Sequence, residues 1–247
     1  MTVISIRGPF GTAKSSFAAT MPGKKYWFDL ESGAARALWR FPADSYTLWR
    51  PQPQPEWLTY SRGDRVVGQS EKYNTIAAEF IKILSDKEHQ TIVFDTWKEL
   101  WTTVSQAELQ RKQDAQLEQA YGAAMAGRPP FQGTMVEYAA LMGSNINWRA
   151  TLQSIEYAAP NAKMSNLIYI CKQFSKNLVL ICHERDVYGD VPDGKGGYVK
   201  GPTGAMELDG WKETLDQVDW GFAFSQARVK IGEKVVHKFI ATIEKSA

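Results

Sequence analysis

Four short, mostly apolar runs separated by segments of helical spacing constrain this chain more than any other feature. They are Val3–Ile6, Tyr26–Leu30, Thr91–Phe94 and Leu178–Cys182. Runs of four or five residues suit strands buried on both faces, and strands alternating with helices predict an α/β fold with a mainly parallel sheet flanked by helices. Lys14–Thr20 reads as the start of a helix after the first run. Ser32 is placed to cap a helix over Ala34–Arg40, and Tyr46–Trp49 reads as a further strand. Tyr73–Leu84 carries Ile76, Ala77, Phe80, Ile83 and Leu84 at helical spacing.

Between and after these units the pattern changes. Pro51, Pro53 and Pro55 enforce an extended loop that cannot continue a ladder, so an excursion begins there. Ser105–Ala126 is polar and glutamine-rich with a thin apolar stripe, which predicts a projecting helix, and Gly127–Gly133 breaks it. Helical patterns resume over Thr134–Tyr157 and Ala162–Phe174, making a helical excursion over about 105–160. The glycine-rich stretch over about 186–205 reads as a long mobile loop or as a hairpin tipped by Asp193–Gly197. Trp220, Phe222 and Phe224 then alternate, and Arg228–Ile231 and Lys234–Ile243 flank Gly232-Glu233, predicting a C-terminal antiparallel hairpin that closes the sheet. With no repeat or linker, residues 1–247 are expected to form a single domain.

Composition narrows the function classes. At 247 residues and 44% hydrophobic content the chain has enough apolar side chain for a large core, which excludes a disordered protein. Lys plus Arg number 29 against 27 Asp plus Glu, so a net charge of +2 supplies no bulk attraction to nucleic acid or membrane, and any DNA contact must be local. Cys171 and Cys182 lie in apolar runs without a metal or disulfide spacing, pointing to a reducing compartment. No apolar run approaches the roughly 20 residues of a membrane span, and no signal peptide is visible. A soluble, cytoplasmic protein without membrane partners is expected.

The stretch Gly8-Pro9-Phe10-Gly11-Thr12-Ala13-Lys14-Ser15, followed by Ser16, falls directly between a strand and a helix. It nearly matches G-x-x-x-x-G-K-[ST], in which backbone N–H groups cradle phosphates, Lys reaches the terminal phosphates and the hydroxyl holds magnesium. Ala13 stands where the pattern has glycine. Its methyl is tolerable with a helical φ and strained otherwise. Lys14 is expected as a solvent-facing point charge.

Three other strand ends carry chemistry. Asp95 closes Thr91–Phe94, where a carboxylate can hold the water shell of magnesium or simply cap a helix. Glu31 follows Tyr26–Leu30 and suits a base that deprotonates water, while Glu31 or Asp29 equally suits an acid at a helix start. His183 follows Leu178–Cys182, where it either senses a γ-phosphate or is structural.

The order GPFGTAKS, FDLES, VFDT, LICHE resembles the RecA-type ATPase core, most closely the compact phage nucleotide-binding proteins of the recombination and single-strand annealing type. The resemblance spans Val3 to about Lys245. It implies a RecA-like P-loop NTPase that binds ATP and Mg2+, hydrolyses ATP and acts on single-stranded DNA in phage recombination or replication, in the bacterial host cytoplasm. It further implies that Lys14 and Ser15 bind triphosphate and magnesium, Asp95 is the second magnesium ligand, Glu31 is the catalytic glutamate and His183 the sensor. Neighbouring subunits of a homo-oligomer would share active sites, with a cation donated from the terminal strand. No arginine near the P-loop other than Arg7 is foreseen in the same chain. Lys245 is therefore the candidate finger, with Lys238 and Arg228 behind it. The first strand begins at once, so the N-terminal arm of full recombinases is not expected.

For the nucleic-acid contact, Lys195, Tyr198 and Lys200 are the candidates, with Tyr188 beside them. Against this, His183–Phe224 holds four Lys or Arg and nine Asp or Glu. That acidity, with the glutamine-rich helix, favours the alternative of an oligomeric P-loop ATPase acting on a protein partner, as a helicase loader or remodelling factor does; a single-strand-binding or replication protein is the expected kind of protein partner. A small-molecule kinase would need a lid with several arginines, and Arg185 is the only one between Arg149 and Arg228. A purely structural nucleotide-binding protein is the remaining alternative, should Ala13 prevent catalysis.

Overall fold

The computed structural model describes residues 1–53, 65–127, 129–142, 145–192, 197–231 and 234–246. It packs as two compact units, one of Met1–Arg50, Lys82–Leu100 and Ser165–Ala247, the other of Pro51–Ile81 and Trp101–Met164.

The first unit is α/β. Strands β1 (Val3–Arg7), β2 (Lys24–Asp29), β3 (Tyr46–Trp49), β4 (His89–Asp95), β5 (Asn177–Ile181), β8 (Trp220–Ile231) and β9 (Lys234–Lys245) form one sheet in the order β3-β2-β4-β5-β1-β8-β9. All neighbours are parallel except β8 and β9, the C-terminal hairpin. Its turn, Gly232-Glu233, lies outside the described residues. The strands alternate bulky side chains to both faces, as a sheet covered on both sides requires. On one face Ile6, Trp27, Val93, Val179 and Ile181 pack with Ala18 and Ala19 of helix α1 (Lys14–Ala19) and Leu38 of helix α2 (Ala35–Leu38). On the other face Phe28 stacks on Phe94 at 4.7 Å, and Phe94 meets Trp97 at 5.5 Å. Each such fully buried side chain contributes roughly 1.5–3 kcal/mol.

One local expectation is corrected here, and of the two readings of the glycine-rich stretch, loop or hairpin, the structure has the hairpin. Ser32 does not cap α2. Asp29 instead holds the turn that leads into it, its Oδ1 accepting from the Gly33 and Ala34 amides at 2.9 and 3.2 Å, and α2 itself starts at Ala34 with no side-chain cap. The glycine-rich stretch is a two-stranded antiparallel ribbon of β6 (His183–Pro192) and β7 (Tyr198–Asp209), and of its tip residues Asp193 to Lys195 and Gly196 lie outside the described residues.

The second unit is helical, with most of α3 (Gln69–Leu84), the bulk of α4 (Trp97–Met125), α5 (Met135–Met142) and the start of α6 (Ala158–Gln173). The expected helix over Thr134–Tyr157 is interrupted: only Met135–Met142 and a 3-10 turn at Ser154–Tyr157 are helical. Nor is the glutamine-rich segment a solvated projection. Gln113 is 0% exposed; its Oε1 accepts from Val66 N at 2.6 Å and its Nε2 donates to Arg149 O at 2.7 Å. Gln110 Oε1 accepts from the amides of Gln69 and Ser70 and so caps α3. These glutamines are polar because they hold loops that lack a ladder of their own.

Candidate functional site

Four adjacent strands of the sheet, β2, β4, β5 and β1, run parallel, so their carboxyl ends share one edge. The four sequence motifs follow those ends. A cleft of about 540 Å³ opens there, lined by Phe10 to Ser16, Glu31, Arg36, Arg40, Asp95, His183 and Phe239 among others. Crevices at the carboxyl ends of parallel strands are where α/β sheets bind ligands.

The Gly8–Ser15 loop closes on itself around Lys14. The side chain is 6% exposed, and Nζ donates to the carbonyls of Gly8 and Pro9 at 2.6 and 2.7 Å. Lys14 is thus no solvent-facing charge, and burial holds its pKa below the usual lysine range. Gly8 is required: a Cβ there would lie 2.3 Å from the Phe224 carbonyl oxygen of β8. Ala13 stands immediately before α1 with φ 63 and ψ 20, the left-handed region, so this position carries the strain that glycine would relieve. Thr12 Oγ1 donates to Pro9 O at 2.8 Å and fixes the loop from within.

Ser15 Oγ donates to Asp95 Oδ2 at 3.0 Å, bringing the hydroxyl and carboxylate together across α1 and β4. Asp95 is buried beside Asp29, its register partner on β2. Burial first, with the neighbouring Asp29 charge adding to it, pushes the Asp95 carboxyl up to about 6, against a lowering by the Ser15 bond. A buried carboxylate with a hydroxyl at its side and, among the described residues, no basic side chain bonded to it is a donor set that fits a hard divalent cation.

The two acids after β2 divide the work. Asp29 is fully committed, to the Gly33 and Ala34 amides and to Arg50 at 2.6 Å. Glu31 instead faces the cleft: Thr96 Oγ1 donates to Oε1 at 2.7 Å and His183 Nε2 lies 3.1 Å from Oε2. The His183 hydrogen bond, then that of Thr96, holds the Glu31 carboxyl below the usual range against the opposing effect of burial. A carboxylate only accepts, so the His183 proton on Nε2 points at Glu31. His183 is 8% exposed, with Nδ1 unbonded among the described residues, and its ring lies tilted against Phe10 of the loop with centroids 4.1 Å apart.

Other candidates fall elsewhere. Lys245 Nζ donates to the carbonyls of Leu215 and Asp216 at 2.8 and 3.1 Å, at the short helix Thr214–Gln217, and does not line the cleft. Arg7 is held by Glu244 and Glu184, with its Nε 2.6 Å from Glu244 Oε2. Tyr198 is exposed on the ribbon, and Lys200 there pairs with Asp190 at 2.9 Å; Lys195 lies outside the described residues. The cations that do line the cleft, Arg36 and Arg40, contradict the expectation that Arg7 is the only arginine near the loop. Their spacing of four within the helix expected over Ala34–Arg40 was the available signal, although the helix itself ends at Leu38 and Arg40 lies in the turn after it. Phe239 had none, because only the return of β9 alongside β8 brings it there.

Asp86, Glu88 and His89 also cluster, at the opposite edge of the sheet, but both His89 nitrogens are occupied, Nδ1 by Asp86 at 2.5 Å and Nε2 by Thr47 at 2.7 Å. Cys171 and Cys182 are free and buried, and among the described residues no helix is long and apolar enough to cross a membrane. No protein-family model matches the chain, and no curated protein matches it.

Proposed function

We propose that this chain is a RecA-like P-loop ATPase that binds ATP with Mg2+ and hydrolyses it. The observation that carries the reading is the convergence of Lys14, Ser15, Asp95, Glu31 and His183 on one cleft from four adjacent parallel strand ends. The loop amides and Lys14 would take the phosphates, Lys14 exchanging two carbonyl partners for phosphate oxygens. Ser15 and Asp95 would hold the magnesium ion, which when bound neutralises charge on the phosphates. Glu31, kept ionised by His183 and Thr96, would accept the proton of an attacking water. Arg36 and Arg40 supply positive charge from the same chain, where a shared site in an oligomer would otherwise have to supply it.

The partner we propose is single-stranded DNA in phage recombination or replication, contacted by the exposed tyrosines of the β6–β7 ribbon. One observation favours the second reading, a protein partner: the ribbon's Lys200 is neutralised by Asp190. ATP turnover measured with and without single-stranded DNA at several salt concentrations tests both. Lys14→Ala is expected to abolish triphosphate binding, and Glu31→Gln to retain ATP while losing turnover. Wild-type affinity in folded Lys14→Ala protein would remove the P-loop assignment.

A further inference from the structure

The cleft wall has two chemically distinct parts. Around the loop, every polar side chain but Ser16, which follows Ser15 on α1, is committed to the phosphate end: Thr12 to Pro9, Lys14 to Gly8 and Pro9, Ser15 to Asp95, Glu31 to Thr96 and His183. The rest of the wall is Phe10, Gly33, Arg36, Ala37, Arg40, Ile181 and Phe239. Among the described residues this part offers no side-chain hydrogen-bond acceptor for a 6-amino group, and its side-chain donors for O6, the Arg36 and Arg40 guanidinium groups, are anchored by no hydrogen bond that would fix them. Arg36 and Arg40 are exposed and make no hydrogen bond or ion pair among the described residues. The Arg40 guanidinium instead lies over the Trp39 ring at 5.0 Å. Phe239, 51% exposed, presents an aromatic face from β9.

A site tells adenine from guanine by a fixed acceptor for the 6-amino group or a fixed donor for O6, and such hydrogen-bonding sites discriminate by several orders of magnitude. Aromatic and guanidinium faces do not, since every base has a π-face. We infer that the cleft holds a nucleotide by its phosphates and by stacking of its base, on Phe239 and an arginine, without reading the base edge. All four ribonucleoside triphosphates are then substrates. The inference rests on the triphosphate reading above and names the substrate class of that same site.

Equilibrium binding of ATP, GTP, CTP, UTP and inorganic tripolyphosphate, each with Mg2+, tests it on wild-type protein, Phe239→Ala and Phe239→Tyr. The four nucleotides are expected to bind within about tenfold of one another, and all more tightly than tripolyphosphate. Phe239→Ala should weaken all four by about tenfold and leave tripolyphosphate unchanged. Phe239→Tyr, which keeps the ring, should restore them. A preference above about 100-fold for one base overturns the inference while leaving the triphosphate reading intact. So does an equal loss for tripolyphosphate in Phe239→Ala. Folded protein that binds neither the nucleotides nor tripolyphosphate takes both readings down.

Discussion

Ala13 and Asp95 each carry a local cost that a single substitution should relieve. At Ala13 the left-handed φ of 63 crowds the Cβ against its own backbone. Ala13→Gly is expected to stabilise the chain by about 1 kcal/mol, less what the freer unfolded chain takes back, and a higher urea midpoint with unchanged slope would show it. At Asp95 the raised pKa sets a pH window. The folded chain keeps a proton from the ordinary value of 3.8 up to about 6, which the unfolded chain releases, so stability falls as pH rises across that range and stays lower above it. The shift corresponds to about 3 kcal/mol above pH 6. Asp95→Asn should recover much of this at pH 8, flatten the dependence between pH 4 and 6, and lose the effect of Mg2+ on nucleotide binding. Unfolding curves at pH 4, 6 and 8 that match wild type would show that burial does not disfavour the carboxylate.

Gln110 and Gln113 of α4 act through the elements they tie rather than through solvent. Gln110 replaces the missing cap of α3, and its loss leaves the Gln69 and Ser70 amides without that acceptor. Gln110→Ala is expected to cost about 1–2 kcal/mol. Gln113→Ala orphans Val66 N and Arg149 O in a buried setting and is expected to cost about 2–3 kcal/mol. Gln119→Ala, on an exposed position of the same helix, should be near neutral. Equal urea midpoints for all three variants would return α4 to a solvated helix whose glutamines do nothing for the fold.

At the scale of the whole molecule, the question is what the β6–β7 ribbon meets. Its pairing sets Tyr188 opposite Pro202, Asp190 opposite Lys200 and Pro192 opposite Tyr198, and residues two apart share a face. One face therefore carries two exposed tyrosines with an ion pair between them. If single-stranded DNA lies there, Asp190→Asn frees Lys200 for a phosphate. Affinity should rise and the salt slope steepen by about 0.7, whereas Tyr188→Ala with Tyr198→Ala should weaken binding. Unchanged affinity in both variants would transfer the ribbon to a protein partner.

The sequence by itself determined the strands of the seven-stranded sheet, their mainly parallel class and the four motifs at their ends. These signals are local: a run of Ile92, Val93 and Phe94 is buried in any parallel sheet, and the glycine loop before Lys14 is read from eight consecutive residues. What only the tertiary structure decided depends on neighbours far along the chain. The strand order puts the ends of β2, β4, β5 and β1 side by side, and no periodicity encodes that order. It is the Gly33 and Ala34 amides and Arg50 that commit Asp29 and leave Glu31 to the cleft. Lys14 is buried because its own loop folds over it, and Lys245, a free lysine in the sequence, is held at two carbonyls 30 and 29 residues away. Hydrophobic pattern specifies which residues leave water, but hydrogen-bond partners across long separations are fixed only when the sheet has assembled around them.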